Sequence, residues 1–404
     1  VIGAAAGLFA VGFRLADQLL FTHAYGRPDI VSAFGALPAL ARLLIPAAGG
    51  AIAAGLASRA RGGTGTGEVI AAVARPGATI PMGATLVNAA ATFAAISTGG
   101  SLGREGPLLH FGAAVGASLE PRSDGARAPA ATHALILAGT AAGFAAAYNT
   151  PFAAVLFVVE VVAGSAALEL VLPAIVATTV ATAVSRWALG GGPLYGLRTF
   201  SIQARTELLA YAALGLLAGV IGPAFMVLLD AGGRAFRRLP LPAVARGALG
   251  GLLVGICALR FPQVTGNGYE VIQPMLEAAY AAPMLGLLLI VKAVGTTASV
   301  GSGSPGGVFT PSLFLGAAVG GLVGGAVHLL WHTPQVPGGY VLAGMATLIA
   351  STTHAPVMAS VLAFELSGDY AIVLPLFVAN ALAALVSRAV HPRTIYQRGQ
   401  RDGQ

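Results

Sequence analysis

Glu105 places an ionisable carboxyl group inside a chain that is otherwise almost wholly apolar. It stands in Gly103-Arg104-Glu105-Gly106-Pro107, with hydrophobic segments on both sides. An acid within a membrane-type segment is disfavoured unless it serves an ion or proton pathway. Two further segments have a related form: Gly306-Gly307-Val308-Phe309-Thr310-Pro311 and Gly63-Thr64-Gly65-Thr66-Gly67. Each precedes an apolar, helix-compatible run, so each is a candidate helix start. The first N–H groups of a helix lack intrahelical partners, and the macrodipole is positive there. Gly allows close backbone approach, and Pro is compatible with a first helical turn. Three such starts with few fixed cations can replace the lost water of a small anion, and they favour a halide over a bulky organic acid.

The elements that must hold these starts lie in a bilayer. Of the 404 residues, 56% are hydrophobic and only 9% are charged. Soluble proteins carry about 25% charged residues, so this chain has too few to cover a water-facing surface. Apolar stretches occur at Val1–Phe21, Ala33–Leu56, Leu135–Phe144, Phe152–Val162, Leu168–Leu189, Leu208–Leu229, Ala248–Leu259, Met284–Val294, Phe314–Trp331 and Ala371–Val390. Several reach the roughly 20 residues that span hydrocarbon. The 56 Gly and 24 Pro fall mostly inside these stretches, where small residues permit tight helix packing and broken helices can line a protein-enclosed cavity. The net charge of +7 is carried mainly by Arg at segment ends, including Arg59, Arg61, Arg234, Arg237, Arg238, Arg388, Arg393, Arg398 and Arg401. That distribution sets topology and points to a cytoplasmic C-terminus. It forms no basic face of the kind that binds nucleic acid. Cys257 is the sole cysteine, which excludes an intrachain disulfide. The opening segment has no basic n-region and reads as a first helix entered partway, not a signal peptide.

The chain contains an internal repeat. Gly103 to Gly116 recurs 204 residues later as Gly307 to Gly320, with the first Gly, the Pro and the string Gly-Ala-Ala-Val-Gly all matched. Ala138-Gly139, Pro151 and Glu160 recur 205 residues later as Ala343-Gly344, Pro356 and Glu365. The halves are residues 1–195 and 200–395, joined by a polar, Gly-rich connector near Gly190–Gln203, with a short tail at 396–404. Duplicated membrane chains often carry a midplane ion site between the repeats, on interrupted segments in corresponding positions. Here those are Thr98–Pro107 and Gly301–Pro311.

With these motifs in place, the chain resembles the CLC family of chloride channels and chloride/proton antiporters. Gly103–Pro107 is similar to the family's GREGP signature, Gly307–Pro311 to its GxFxP signature, and Gly63–Gly67 to a degraded GSGIP. Tyr396, in Arg393-Thr394-Ile395-Tyr396, matches its C-terminal tyrosine. The resemblance covers essentially the whole chain. It implies an all-α membrane fold of many tilted and broken helices in an inverted repeat, and a homodimer with one pore per subunit. It implies that Glu105 is the external gating glutamate, which occupies an anion site when ionised and leaves it when protonated. Thr64 would donate its hydroxyl to the anion. Gly65, Arg104, Gly106 and the backbone N–H groups of Val308 and Phe309 would surround it, and the Tyr396 hydroxyl would face it from the cytoplasmic side. The resemblance, which runs out soon after Tyr396, carries no expectation of the cytoplasmic regulatory domains found in some relatives. The location implied is multi-pass in a bacterial inner membrane, among lipid, with chloride as transported ligand, possible proton coupling, no cofactor and no metal.

Three departures bear on mechanism. Thr64 stands where the family has Ser. Thr66-Gly67 replaces Ile-Pro. The internal glutamate of proton-coupled members aligns with Gly191, which puts tight coupling in question and leaves channel and antiporter both open, with the short chain favouring a transporter. Fluoride export by another branch of the family is the alternative anion, disfavoured by the Thr64 hydroxyl. Glu160 and Glu365 read as structural groups bonding helix ends, and His110 as a bonded core histidine more than a relay. Gly99-Gly100-Ser101-Leu102-Gly103 matches a nucleophile elbow, but its flanks are helical and apolar where the elbow needs a strand, so an intramembrane hydrolase is disfavoured. Gly62–Gly67 lacks the Lys-Ser/Thr of a phosphate loop.

Overall fold

The computed structural model describes residues 1–60, 65–75, 79–119, 129–198, 200, 207–331 and 338–397. The first half contains α1 (Ile2–Leu20), α2 (Ile30–Ala36), α3 (Ala39–Ala57), α4 (Thr66–Val73), α5 (Met82–Ser97), α6 (Glu105–Ser118), α7 (Pro129–Tyr148), α8 (Pro151–Phe157) and α9 (Leu168–Leu189). The second contains α10 (Glu207–Arg238), α11 (Ala243–Arg260), α12 (Tyr269–Leu276), α13 (Ala282–Gly301), α14 (Phe309–Trp331), α15 (Gly338–Thr353), α16 (Pro356–Ser367) and α17 (Val373–Val390). Short π-helical turns follow α1 and α8, at Phe21–Tyr25 and Val158–Ala163. Among the described residues, nine segments are long and apolar enough to cross a membrane.

The repeat extends to the helix starts. Ala39 and Ala243, which open α3 and α11, are 204 residues apart, as are Glu105 and Phe309 for α6 and α14. Pro151 and Pro356, and Leu168 and Val373, start their helices 205 apart. Even the exits match: Asn149 after α7 and His354 after α15 both take left-handed backbone, at φ 59° and 58°.

The recurring Gly-Ala-Ala-Val-Gly string has a packing reason. A Cβ on Gly112 would strike the Gly139 carbonyl, and one on Gly316 would strike that of Gly344. Gly116 lies on the Leu135 carbonyl and Gly320 on that of Tyr340. Backbone therefore meets backbone between α6 and α7 and again between α14 and α15, the close approach that small residues allow in membranes. α6, α14 and α15 form the buried centre, while Trp187, Leu209 and Ile290 turn apolar side chains outward, as lipid contact requires.

One expected segment divides. Ala33–Leu56 becomes α2 and α3, because Leu37 precedes Pro38 and takes extended backbone at ψ 147°. A residue before proline disfavours helix. The connector at 190–198 is irregular, and its remainder, like the tail from 398, lies largely outside the described residues.

The two halves cap one another. Glu160 accepts N–H bonds from Val357 and Met358 at 3.4 and 2.7 Å, at the start of α16. Glu365 accepts them from Phe152 and Ala153 at 3.1 and 2.7 Å, at the start of α8. Each acid thus serves the helix of the opposite copy, the structural role read from sequence. Replacing Glu365 with Ala should lower stability by about 1 kcal/mol, the usual worth of an N-cap. Glu160→Ala should do the same. Chemical denaturation in mixed micelles checks this, and unchanged midpoints for both variants would contradict it.

Candidate functional site

α6 and α14 start face to face. The Gly103 N–H donates to the Gly307 carbonyl at 2.8 Å, and the Gly307 N–H donates back to Gly103 at 2.8 Å. This isolated antiparallel bridge joins repeat-related residues and sets the two helix starts against each other. A Cβ on either glycine would collide with the Glu105 carboxylate. A side chain at either position would push the carboxylate out of the place it occupies across the bridge.

The Glu105 side chain leaves its own helix and caps its mate. Its Oε1 accepts the Phe309 N–H at 2.8 Å and the Thr310 N–H at 3.3 Å, and its Oε2 accepts the Thr310 hydroxyl at 2.9 Å. Only 2% of Glu105 is exposed. The carboxylate thereby satisfies the open N–H groups of α14 where the macrodipole is positive. Those donors could instead hold a small anion, so Glu105 and an anion are alternatives for one position.

An aromatic group surrounds this position. The Tyr148 hydroxyl lies 3.0 Å from the Thr310 hydroxyl. Thr310 gives its hydrogen to the carboxylate, so Tyr148 donates to Thr310. The Phe309 ring packs edge-on to Phe144 at 5.2 Å and beside Tyr148 at 5.3 Å. Phe157 bridges Phe309 and Tyr396, at 6.3 and 5.9 Å between centroids. Tyr396 is therefore joined to the site through Phe157, and Ile395 is anchored by donating its N–H to the Thr352 carbonyl at 2.8 Å.

The third helix start also converges. Gly65, at φ 76°, precedes α4, and a Cβ there would lie 4.0 Å from the Gly106 Cα. A Cβ on Gly67 would come within 2.8 Å of the Tyr396 carbonyl. Gly106 in turn approaches the Gly307 backbone. Glu105, Gly106, Gly65, Phe309 and Tyr396 are thus brought together, and the N–H groups that meet the carboxylate are those of Phe309 and Thr310, where the expectation was Val308 and Phe309. Thr64 lies outside the described residues; Thr66 is buried in the first turn of α4.

Arg104 is placed elsewhere. Its guanidinium stacks over Tyr269 at 5.0 Å and lines a cavity of about 230 Å³ with Arg14, Asp17, Asp29 and Glu270. It faces that cavity and does not contact the Glu105 carboxylate. Gly191 is exposed, with nothing within 4 Å of a built Cβ. It lines a cavity with Arg14, Tyr148 and Leu194, and Arg14 and Leu194 also line the Arg104 cavity. An acid at Gly191 would face the Arg104 side, so its absence says nothing about proton groups beside Tyr396. Ser101 is fully buried, its hydroxyl 3.1 Å from that of Thr296 and its N–H bonded to the Ser299 hydroxyl. These bonds tie the halves together. Among the described residues no cluster of three or more His, Cys, Asp or Glu could ligate a metal.

Sequence reasoning missed Thr310 and Tyr148. Thr310 occupies a variable position within its motif, and Tyr148 is the last residue of an apolar helix. A buried tyrosine needs a partner for its hydroxyl, and that was the available signal.

The family model "Voltage gated chloride channel" matches residues 45–388. A ClcB-like protein of Ralstonia nicotianae is 37% identical over 407 residues, covering 98% of this chain and 94% of that one. The voltage-gated ClC-type chloride channel ClcB of Escherichia coli O9:H4 (strain HS) is 35% identical over 416 residues, covering 98% and 96%. Among solved structures, a slow cyanobacterial Cl⁻/H⁺ antiporter superposes with a TM-score of 0.87 at 25% identity, covering 99% of this chain and 97% of that one.

If the α14 start is an anion position held by Glu105, truncating the acid should free it. Crystals of Glu105→Ala grown in bromide should show an anomalous peak at the Phe309 and Thr310 N–H groups. Bromide elsewhere with none at this point would contradict the assignment.

Proposed function

The chain belongs to the voltage-gated chloride channel family, and from that premise we propose that it moves chloride across the membrane with Glu105 as a proton-linked gate. It is a multi-pass integral protein of the bacterial inner membrane, all-helical, built as a CLC-type inverted repeat. The observation that carries the gate is the seating of the Glu105 carboxylate on the Phe309 N–H at 2.8 Å. An ionised Glu105 and chloride compete for the same donors. A neutral acid is a weaker partner for a helix start, because the charge-assisted part of the bond is lost. Protonation therefore releases Glu105 and opens the position to chloride.

The same geometry supports exchange of protons against chloride more than a passive pore. The gate fills the anion position completely when ionised, so each opening requires a proton at Glu105. A pure channel is the alternative, and joint flux measurement separates the two. Thr310 and Tyr148 hold the closed form, while Tyr396 and the start of α4 form the other approach. We read that approach as cytoplasmic and the Arg104 cavity as external. One pathway per subunit of a homodimer is the arrangement that membership of the family implies. No enzymatic step is required of any group in the site.

Proteoliposomes reporting chloride efflux and proton uptake together test this. A chloride gradient should drive protons uphill through the wild type. Glu105→Gln should keep chloride flux, lose its pH dependence and reduce proton movement by about a hundred-fold, as expected when the titrating group is removed. Unaltered pH dependence in Glu105→Gln would refute the gate.

A further inference from the structure

His110 and Glu68 form an acid–base pair that the gate does not use, its imidazole buried and its carboxylate partly exposed. His110 is five residues beyond Glu105 on α6, about 7.5 Å along the axis at 1.5 Å per residue. It is 2% exposed. Its Nε2 lies 2.7 Å from Glu68 Oε2, and its Nδ1 lies 3.1 Å from the Thr85 hydroxyl. Glu68 is in the first turn of α4, next to Gly67, which abuts the Tyr396 carbonyl. The Glu68 side chain is 22% exposed. The pair therefore sits on the Tyr396 side of Glu105, the side read as cytoplasmic.

The 2.7 Å contact between His110 and Glu68 needs a hydrogen between Nε2 and Oε2. Nδ1 and the Thr85 hydroxyl can then share their 3.1 Å contact in two ways. With the hydroxyl turned to the Pro81 carbonyl, 3.0 Å away, Nδ1 carries a hydrogen and donates it to Thr85. The Pro81 carbonyl also accepts the Thr85 N–H, at 3.0 Å, so the hydroxyl can instead turn and donate to a bare Nδ1. The two arrangements differ by one proton and by no heavy-atom position.

We propose that Glu68 and His110 are a proton-holding pair on the Tyr396 side of Glu105, taking up and releasing one proton at His110 Nδ1, with Thr85 as the hydroxyl that catches the empty nitrogen. Emptying the pair makes the start of α4 one unit more negative than it is when the pair is loaded. Among the described residues, Glu160, in the π-helical turn packed on α4, accepts the Val357 and Met358 N–H groups, and Tyr396 lies against Gly67 and Phe157. α5 carries no titratable group. On α7, Tyr148 is bonded to Thr310, and His133 lines a cavity with Ile70, Val73 and Glu169. On α1, Arg14 and Asp17 line the Arg104 cavity. On α6 itself, Glu105 is bonded to Phe309 and Thr310.

The role in coupling rests on Glu105 being a proton-linked gate, but the proton-holding itself can be read without transport. Solid-state ¹⁵N-histidine spectra of the protein in liposomes, assigned against His110→Gln, should show Nδ1 of His110 exchanging its proton as pH is changed while Nε2 keeps its own. Thr85→Val, lacking the catching hydroxyl, should alter the balance between the two Nδ1 forms at a given pH. An Nδ1 that never titrates, or an Nε2 that titrates in its place, overturns the pair. In the joint flux assay, His110→Gln and Glu68→Gln should each keep chloride efflux within about two-fold while proton uptake falls at least about ten-fold. Wild-type proton uptake that survives both substitutions, or no wild-type uptake at all, overturns the coupling role. Failure of the gate would appear separately, as pH dependence persisting in Glu105→Gln.

Discussion

The reciprocal bridge between Gly103 and Gly307 fixes the distance between two helix starts that repel each other electrostatically. α6 and α14 both present a positive end to the same small volume, and the bridge holds those ends together through two 2.8 Å bonds. That arrangement is stable only if something negative lies between the ends. The Glu105 carboxylate does so, and the two glycines leave the space it needs. The position is therefore intrinsically one for an anion, whether the anion is part of the chain or comes from solution. Close backbone packing of α6 on α7 and of α14 on α15 keeps the helix starts from drifting apart when the occupant changes.

Duplication explains both the symmetry and its one decisive break. Glu160 and Glu365 cap each other's copy in matching fashion, and glycines meet carbonyls at matching depths in both halves. At the site the copies diverge. Glu105 and Phe309 are repeat mates, yet one supplies an ionisable side chain and the other the backbone N–H that receives it. Two acids would have repelled across the bridge, and two aromatics would have left no titratable gate. The asymmetry gives one mobile charge and one fixed cradle.

Much of this was legible in the sequence because it rests on backbone. Helix starts and the repeat offset follow from Gly, Pro and apolar spacing, the seating of Glu105 at an anion position was implied by the family resemblance, and Glu160 and Glu365 were recognisable as a matched pair of helix-end acids. Contacts made by side chains across the halves were less legible. Thr310 and Tyr148 are 162 residues apart and meet through hydroxyls that leave no periodic trace. Arg104, adjacent to the gate in sequence, turns away to Tyr269, because neighbouring residues on a helix point in different directions. Gly191 aligned with a proton site by motif spacing, but it faces the cavity shared with Arg14. His110 could be identified as bonded, whereas its partner on α4 could not.

The central claim is that one position serves Glu105 and chloride by turns. Calorimetric titration of chloride into the purified protein across a range of pH measures that competition at equilibrium, without any flux. Strict competition weakens apparent chloride affinity by up to about ten-fold per pH unit once Glu105 is mostly ionised, since the binding-competent fraction falls by that factor. Glu105→Gln should bind chloride with the same affinity throughout. Wild-type affinity that stays constant over the same range would contradict the account.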